Sequence, residues 1–414
     1  MKDIFDVIVI GGGPAGILSA GVSASRGAKV LLLEKNSELG KKLLLTGNGR
    51  CNITHAESDI RKLISSYGEN GAFLFSAFHA FGPKQTMDFF DDLGVPLKIE
   101  ENERVFPVSD SAKTVLSTLK KYLEKNKVQI LYNAEVKSIE GKDDQIHSIV
   151  LTDGKVFQTK NCIIAVGGLS YSLTGATGDG YIWAKKLGIE TISPSPALVP
   201  LKIQEGWIKE LQGVALENVE VTVWKKKKKK CTGIGDMLFT HFGVSGPVIL
   251  NISKCALEAK KSEDSFLTID MVRKYSSLEL DKKFQEDFKE KNKLFVKNYL
   301  LQYIPKRMVE QVLIQLQIDG EKRLSDITRE ERKSIVKNMK ELSLTVSGHM
   351  GFDVAIITSG GVSIKELDPK TMASKKIPNL YFVGEVVDID GPTGGYNLQV
   401  AWSTGFVAGS SVKF

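Results

Sequence analysis

The sequence predicts an α/β protein in which a Rossmann-like domain is assembled from both ends of the chain. A strand-rich and helical insert interrupts it. Three observations carry this. Residues 6–35 read as a complete βαβ unit. A proline-dense stretch at 193–200 breaks the pattern in mid-chain, because it can continue neither a helix nor a central strand. Strand–glycine punctuation then returns at 351–361 and 379–385, before a glycine turn and helix over 393–414.

The opening unit begins with an apolar, β-branched run at 6–10, suited to a buried parallel strand. It enters Gly11-x-Gly13-x-x-Gly16, then a helix ending near Arg26-Gly27, then a second apolar strand at 29–33 closed by Glu34. Gly11 suits the tight turn, Gly13 the close approach of a pyrophosphate, and Gly16 the packing of helix on strand. Pro14 and Ala15 open the helix, whose free N–H groups and positive dipole end favour phosphate. Glu34 suits the two hydroxyls of an adenosine ribose and argues against a 2′-phosphate, which leaves FAD or NAD.

At 414 residues and 42% hydrophobic content the chain is expected to hold two or three domains. Its apolar stretches are too short or too glycine-broken to suggest membrane insertion, and the N-terminus does not read as a secretory signal. Cys51, Cys162, Cys231 and Cys255 show no CxxC spacing, which argues against a disulfide scaffold, a zinc site or a thioredoxin-type pair and fits a reducing cytoplasm. No His, Cys or Asp set has metal-ligand spacing, and no Ser/His/Asp ordering suggests a hydrolase. The net charge is +7, and much of the excess sits in six lysines at 225–230. Following a strand-like 219–224, they read as a solvated hairpin tip, with contact to RNA or another polyanion as the competing reading.

Residues 60–127 look mostly helical, with a strand-like interruption near 95–106, and 128–136, 146–151 and 161–166 read as strands. Residues 200–270 alternate in strand fashion, and 276–341 turn helical and charged. The expected domains are 1–193 and 346–414, both of the nucleotide-binding part, around an insert at 194–345. The return to that part favours FAD over NAD. Paired glycines after 163–166, the acids Glu385 and Asp388 near a ribityl chain, and a helix start at Gly394-Gly395 all suit a flavin lying across the domain. That helix N-terminus would stabilise the negative charge that reduction places on the ring's pyrimidine edge.

With these segments in view, the chain resembles the BaiN/YhiN-type family of NAD(P)/FAD-dependent oxidoreductases over essentially its full length. The resemblance rests on Gly11-x-Gly13-x-x-Gly16, Thr46-Gly-Asn-Gly-Arg-Cys-Asn-Ile-Thr54, Leu238-Phe-Thr-His-Phe-Gly-Val-Ser-Gly-Pro247 and Ser359-Gly-Gly-Val362. Gly384-Glu385, Gly391 and Gly394-Gly-Tyr-Asn-Leu-Gln399 complete the set. It implies a discontinuous Rossmann-like FAD-binding domain with an inserted β-barrel-like plus helical domain. It also implies FAD contacts at Glu34, Lys35, Lys42, Gly47, Arg50, Cys51, Val136 and Gly167, then at Gly384, Glu385, Asp388, Gly395, Asn397, Leu398 and Gln399. Asn48 and His55 depart from the pattern, where glycine and asparagine are more usual, and the lysine run is peculiar to this chain.

The chemistry implied is hydride transfer, fed by NAD(P)H, to a C=C conjugated with a carbonyl, in a small-molecule enone or in a uracil of ribosomal RNA. Cys51, His241 and Tyr396 are the titratable candidates for the accompanying proton. Each also has a plainer reading: Cys51 and Tyr396 as packing, and His241 as a hydrogen-bonded loop residue. Two other functions fit the same cofactor: an amine oxidase that uses oxygen, and an RNA- or ribosome-associated protein whose flavin is structural.

Overall fold

The first strand, β1 (Ile4–Ile10), pairs in parallel with β2 (Val30–Leu33), with Val7 opposite Val30 and Ile10 opposite Leu33. Both are buried over these residues, as a parallel strand covered by layers on both sides must be. Between them runs α1 (Pro14–Ser25). A turn at 43–49 leads to a small layer made of β3 (Thr54–His55), α2 (Ile60–Ser65), α3 (Phe75–Ala80), α4 (Pro83–Asp92), β4 (Leu97–Glu100) and β5 (Arg104–Pro107). Its three strands pair antiparallel in the order β3-β5-β4. The amphipathic α5 (Ala112–Lys125) then buries Val115, Leu116, Leu119 and Leu123.

Next come β6 (Gln129–Leu131), β7 (Val136–Lys142), β8 (Gln145–Leu151), β9 (Val156–Ile164), α6 (Asp179–Lys186) and β10 (Thr191–Ala197). The expected single strand at 128–136 is therefore two. β6 pairs parallel with β2, whereas β7 turns back antiparallel on β8, so the chain must break direction between them.

This computed structural model describes residues 4–260 and 265–414. Two compact units appear: Met1–Pro196 with Ile356–Phe414, and Ala197–Ala355. The insert comprises β11 (Leu201–Ile203), β12 (Ala215–Lys225), β13 (Lys228–Thr240), β14 (Gly243–Ser245), α7 (Pro247–Lys260), β15 (Ser265–Asp270), α8 (Ser277–Glu290), α9 (Val296–Leu300), α10 (Lys306–Gln315), α11 (Arg329–Lys340), β16 (Leu342–Leu344) and β17 (Val346–His349). Its seven strands form one antiparallel sheet, β16-β15-β12-β13-β14-β11-β17. The end strands β16 and β17 are separated only by Thr345, so the sheet curls until its edges approach. The expected strand region 200–270 thus contains a helix, α7. Its β-branched Val248, Ile249 and Ile252 mimic strand composition, yet with Ala256 they form the buried face of a helix opened by Pro247.

The insert also corrects the reading of the cysteines. Cys231 on β13 and Cys255 on α7 form a disulfide across 24 residues. Spacing alone gave no sign of it, because only the packing of α7 on the sheet brings the two together. Cys51 and Cys162 remain free and buried.

The chain then returns as β18 (Ile357–Val362), β19 (Leu380–Phe382) and α12 (Tyr396–Ser411). β19 joins the first sheet beside β9, parallel, with Leu380 opposite Cys162 and Phe382 opposite Ile164. β9 is shared along its length: its start pairs with β8 and its end with β19, while β1 lies on its other side. β10 carries Pro194 and Pro196 and, among the described residues, pairs only with β18, the kind of edge position proline tolerates. α12 is buried from Gln399 to Gly405 and lies against α1. A Cβ at Gly405 would sit 2.5 Å from the Ala15 carbonyl oxygen, and one at Gly409 would sit 2.7 Å from that of Ser19. Arg26 and Ser23 fasten the contact, with the Arg26 guanidinium donating to the Gly409 and Val412 carbonyls at 2.9 and 3.0 Å.

Closing a loop of this length removes unfolded-chain entropy, so replacing Cys231 and Cys255 together by Ser is expected to lower stability by about 2–4 kcal/mol. Denaturant unfolding under non-reducing conditions measures this. An unchanged midpoint, or equal sensitivity of the wild type to a reductant-free and a reduced buffer, would show that the pair is not bonded in solution.

Candidate functional site

The turn after β1 is built so that only one of its glycines faces open space. A Cβ on Gly11 would lie 2.5 Å from the Ala165 carbonyl oxygen, and one on Gly16 would lie 1.8 Å from the Gly11 oxygen. These two are fixed by packing. A Cβ on Gly13 meets nothing within 4 Å. Gly13 is the N-cap of α1, no side chain caps that helix, and Pro14 has no N–H to satisfy. The helix therefore presents unpaired backbone donors and its positive end to the space above Gly13, as a phosphate requires.

Glu34, at the end of β2, is nearly buried. Its Oε2 accepts from the Gly12 N–H at 2.8 Å, and its Oε1 accepts from the backbone and side-chain nitrogens of Asn36, each at 2.8 Å. The carboxylate is thus held beside the glycine turn. Lys35 follows it and reaches Thr177 Oγ1 at 2.6 Å and Asp179 at 3.0 Å. Val136 opens β7 and is buried, and Gly167 follows β9 with φ of 74°.

A second constellation gathers around Glu385. Lys42 Nζ lies 2.6 Å from its Oε2, while Ser170 Oγ and the Thr358 N–H donate to Oε1 at 2.7 and 2.9 Å. Lys42 also donates to Ser170 at 2.7 Å. Both carboxylate oxygens are therefore engaged within the protein. Ser170 and Thr358 were not anticipated, although Thr358 directly precedes the Ser359-Gly-Gly-Val362 motif. The Asp388 carboxylate and carbonyl accept from Asn70 at 3.1 and 2.7 Å. Gly384, with φ of 73°, packs its α-carbon against Ala15 of α1, which places the return segment beside the glycine turn.

The third part is the start of α12. Gly395, its N-cap, has φ of 98°, and a Cβ there would lie 2.3 Å from Thr54, so only glycine fits. No side chain caps this helix either. Asn397 points backward instead: its Oδ1 accepts from the Gly391 N–H at 2.9 Å and its Nδ2 donates to the Gly391 and Pro392 carbonyls. Gln399 is fully buried, accepting from Thr54 and donating to the Phe81 carbonyl and Ser403. Trp402 Nε1 donates to the Ile53 carbonyl at 2.9 Å. The 52–55 stretch is thus the seat on which α12 begins, and the Asn397 and Gln399 side chains hold protein rather than open space. Leu398 is partly buried against the main core.

Two aromatic rings sit at that helix start. Tyr396 stacks on His55, with centroids 4.4 Å apart and planes at 26°, and Tyr67 meets Tyr396 edge-on while donating to its carbonyl at 3.0 Å. Burial raises the Tyr396 phenol, opposed by its hydrogen bond to Ser66, and burial lowers the His55 imidazole, opposed by the Gly394 backbone and by Glu103 and Glu57. His55 is accordingly neutral at pH 7. Its role was not foreseen, and its departure from the expected asparagine was the one available signal.

Cys51 is fully buried in the main core, with φ of 65°. Burial pushes its thiol up to about 12, a shift that the hydrogen bond to Thr46 only partly opposes. Arg50, next to it, lies 4.0 Å from the centre of the Phe106 ring and pairs with Glu100 and Asp110. Gly47 adopts φ of 57° in the same loop. His241 belongs to the insert, exposed on the turn between β13 and β14 and edge-on to Phe242. Among the described residues, no group of three His, Cys, Asp or Glu is placed to hold a metal ion, and no helix is long and apolar enough to cross a membrane.

A family model described as the HI0933-like protein Rossmann domain matches residues 5–411. The chain is 31% identical over 406 residues to a 3-dehydro-bile acid delta(4,6)-reductase of Clostridium scindens, covering 97% of each. It is 30% identical over 417 residues to a ribosomal RNA dihydrouridine synthase of Haemophilus influenzae, covering 100% of each, and equally identical over 407 residues to one from Escherichia coli. Among solved structures, a 3-ketosteroid delta1-dehydrogenase of Sterolibacterium denitrificans shares the fold, with a TM-score of 0.55 at 14% identity and 99% coverage of both chains.

The folded Cys51 thiol titrates above its ordinary value of 9.0, so its burial stabilises the fold below that pH, and this contribution is lost as pH rises toward about 12. The native protein should therefore resist iodoacetamide at pH 8, with Cys51 and Cys162 labelled only on unfolding. Rapid labelling of Cys51 in the folded protein would show a reactive thiolate and restore it as a chemical group.

Proposed function

The chain belongs to the HI0933-like Rossmann family, and we propose that within it this protein is an FAD-dependent reductase that takes electrons from NAD(P)H and delivers them to a C=C conjugated with a carbonyl. The observation that carries this reading is the packing of α1 against α12 in one folded unit, which brings together two N-termini, at Gly13 and Gly395, that no side chain caps. One suits a pyrophosphate and the other the pyrimidine edge of a reduced flavin. The three relatives matched over nearly their full length are named as a 3-dehydro-bile acid delta(4,6)-reductase and, twice, as a ribosomal RNA dihydrouridine synthase. A steroid enone and a uracil share one reacting unit, a double bond next to a carbonyl.

Gly11, Gly13, Pro14, Ala15 and Gly16 would receive the pyrophosphate, and Glu34 the ribose hydroxyls through the oxygens it now offers to Gly12 and Asn36. Lys35, Lys42, Gly47, Arg50, Val136, Gly167, Gly384 and Asp388 would line the remainder. Glu385 orders Lys42 and Ser170. Gly395, with the backbone N–H groups of Asn397 and Leu398, would face the ring, while the Asn397 and Gln399 side chains keep the helix start in place. FAD held there would supply the hydride chemistry for reducing the conjugated bond. The protein's part is to position that bond, exclude water and deliver a proton to the α-carbon. Cys51, buried and neutral, is assigned to packing. Proton delivery falls to Tyr396, whose phenol stays protonated at neutral pH, or to His241 on the insert.

Anaerobic mixing tests this directly. NADH or NADPH should bleach the oxidised-flavin absorbance, and a steroid enone or a uridine-containing ribosomal RNA should restore it faster than air. If neither nicotinamide bleaches the flavin, or an amine does and air returns it with release of peroxide, the reductase reading fails. Tyr396→Phe and His241→Asn identify the proton donor: loss of that group slows reoxidation by substrate about 10²-fold or more, with reduction by nicotinamide unchanged.

A further inference from the structure

The insert carries a surface that the redox chemistry does not use. β12 and β13 meet in a hairpin of six consecutive lysines, residues 225–230. Lys226 and Lys227 make the turn, with φ of 49° and 59°, and the tip from 227 to 230 is exposed. Among the described residues, the charge at this tip has no carboxylate partner for any of the six.

The strand pairing places specific groups beside the tip. Trp224 lies opposite Lys229 on one side and Phe266 on the other, and Thr222 lies opposite Thr232 and Thr268. Directly opposed residues point to the same side of a sheet. One face thus carries a half-buried aromatic pair, an exposed lysine, the half-buried Thr232 and Thr268, and the buried Thr222. The indole of Trp224 and the ring of Phe266 are stacked, with centroids 6.1 Å apart and planes at 14°. Trp224 Nε1 donates to Thr268 Oγ1 at 2.8 Å, and the Thr222 and Thr232 hydroxyls lie 3.0 Å apart. The other face is covered by α7, where a Cβ on Gly233 would meet Ile252 and Val248. The Cys231–Cys255 disulfide ties the base of the hairpin to that helix. Glu220 and Asp270 share the open face farther from the tip, and Asp270 is neutralised by Lys340 at 2.5 Å.

We propose that this face is a docking surface for single-stranded RNA, with the lysines holding phosphates and the Trp224–Phe266 pair receiving a base. Non-specific single-strand binding needs both parts: a basic track for the backbone and flat aromatic surface for bases, with hydroxyls nearby to meet the 2′-OH. A lipid surface is the poorer fit, because membrane-seeking aromatics project from a helix or loop. Here the indole is pinned to its own sheet by Thr268. The inference deepens the uracil arm of the proposed function and rests on it.

The test measures binding of oligouridine by the holoenzyme across a range of salt, against the same strand duplexed with oligoadenosine and against phosphatidylserine vesicles. Two variants are compared with the wild type: all six lysines of 225–230 replaced by Ser, and Trp224→Ala. Reduction of the flavin by nicotinamide reports that each remains folded. The six-fold variant is expected to lose at least tenfold in affinity for oligouridine, and its salt dependence should be shallower by about 0.7 per phosphate contact removed. Trp224→Ala is expected to lose about tenfold with its salt dependence unchanged. Unchanged affinity and salt dependence in the lysine variant overturn the proposal, as does tighter retention on vesicles or duplex than on oligouridine. Ribosomal RNA reduced by the lysine variant with a native KM overturns the docking surface and leaves the reaction standing. Lysine-dependent oligouridine binding without uracil reduction does the reverse.

Discussion

The structure depends on the contact between its last helix and its first. Gly405 and Gly409 of α12 lie against the backbone of α1 at Ala15 and Ser19, closer than any side chain would permit. This approach does more than bury apolar area. It sets the return segment, with Gly384 against Ala15, over the glycine turn that opens α1. The β19–β9 pairing sets the strand that feeds it. The two chain ends are joined through backbone-to-backbone packing, which tolerates almost no change in volume.

Polar groups follow the same logic. A buried carboxylate is costly unless donors surround it, and the two acids nearest the glycine turn both meet that condition. Glu34 is held by Gly12 and Asn36, and Glu385 by Lys42, Ser170 and Thr358. The helix N-termini are treated oppositely. α2, α8 and α11 are capped by Asp59, Ser276 and Thr328, whereas α1 and α12, like α3, α5, α6, α9 and α10, have no side-chain cap. An uncapped N-terminus is a small loss of stability in the empty protein and a gain wherever an anion or an electron-rich ring edge binds. The proposed function therefore draws on α1 and α12 because these two helices, both without a side-chain cap, also pack against each other.

Much of this was legible from local chemistry. The βαβ unit, the helix at 396–411 and the lysine hairpin each declare themselves within a few residues, through glycine spacing, apolar period or strand flanks. What was hidden is non-local. α7 reads as strand because Val248, Ile249 and Ile252 are β-branched, and only its packing on the sheet makes it a helix. The Cys231–Cys255 bond follows from that same packing. The side chains of Asn397 and Gln399 stand in a motif that suggests ligand contact, yet they close loops against Gly391 and Phe81. A sequence shows which residues are polar, but not which neighbours reach them first. The second unit border, at Ala355–Ile356 rather than at 345–346, follows because β17 still pairs with β11 in the insert.

The central claim is that both chain ends must pack together for the dinucleotide to bind. FAD titration of the apoprotein, comparing wild type with Gly405→Leu, tests it most directly. The account requires stoichiometric, tight binding by the wild type. In a variant that still unfolds cooperatively, affinity should fall by about a hundredfold or more, because the introduced isobutyl group would drive α12 off the Ala15 carbonyl. Retention of wild-type affinity by such a variant would contradict the account.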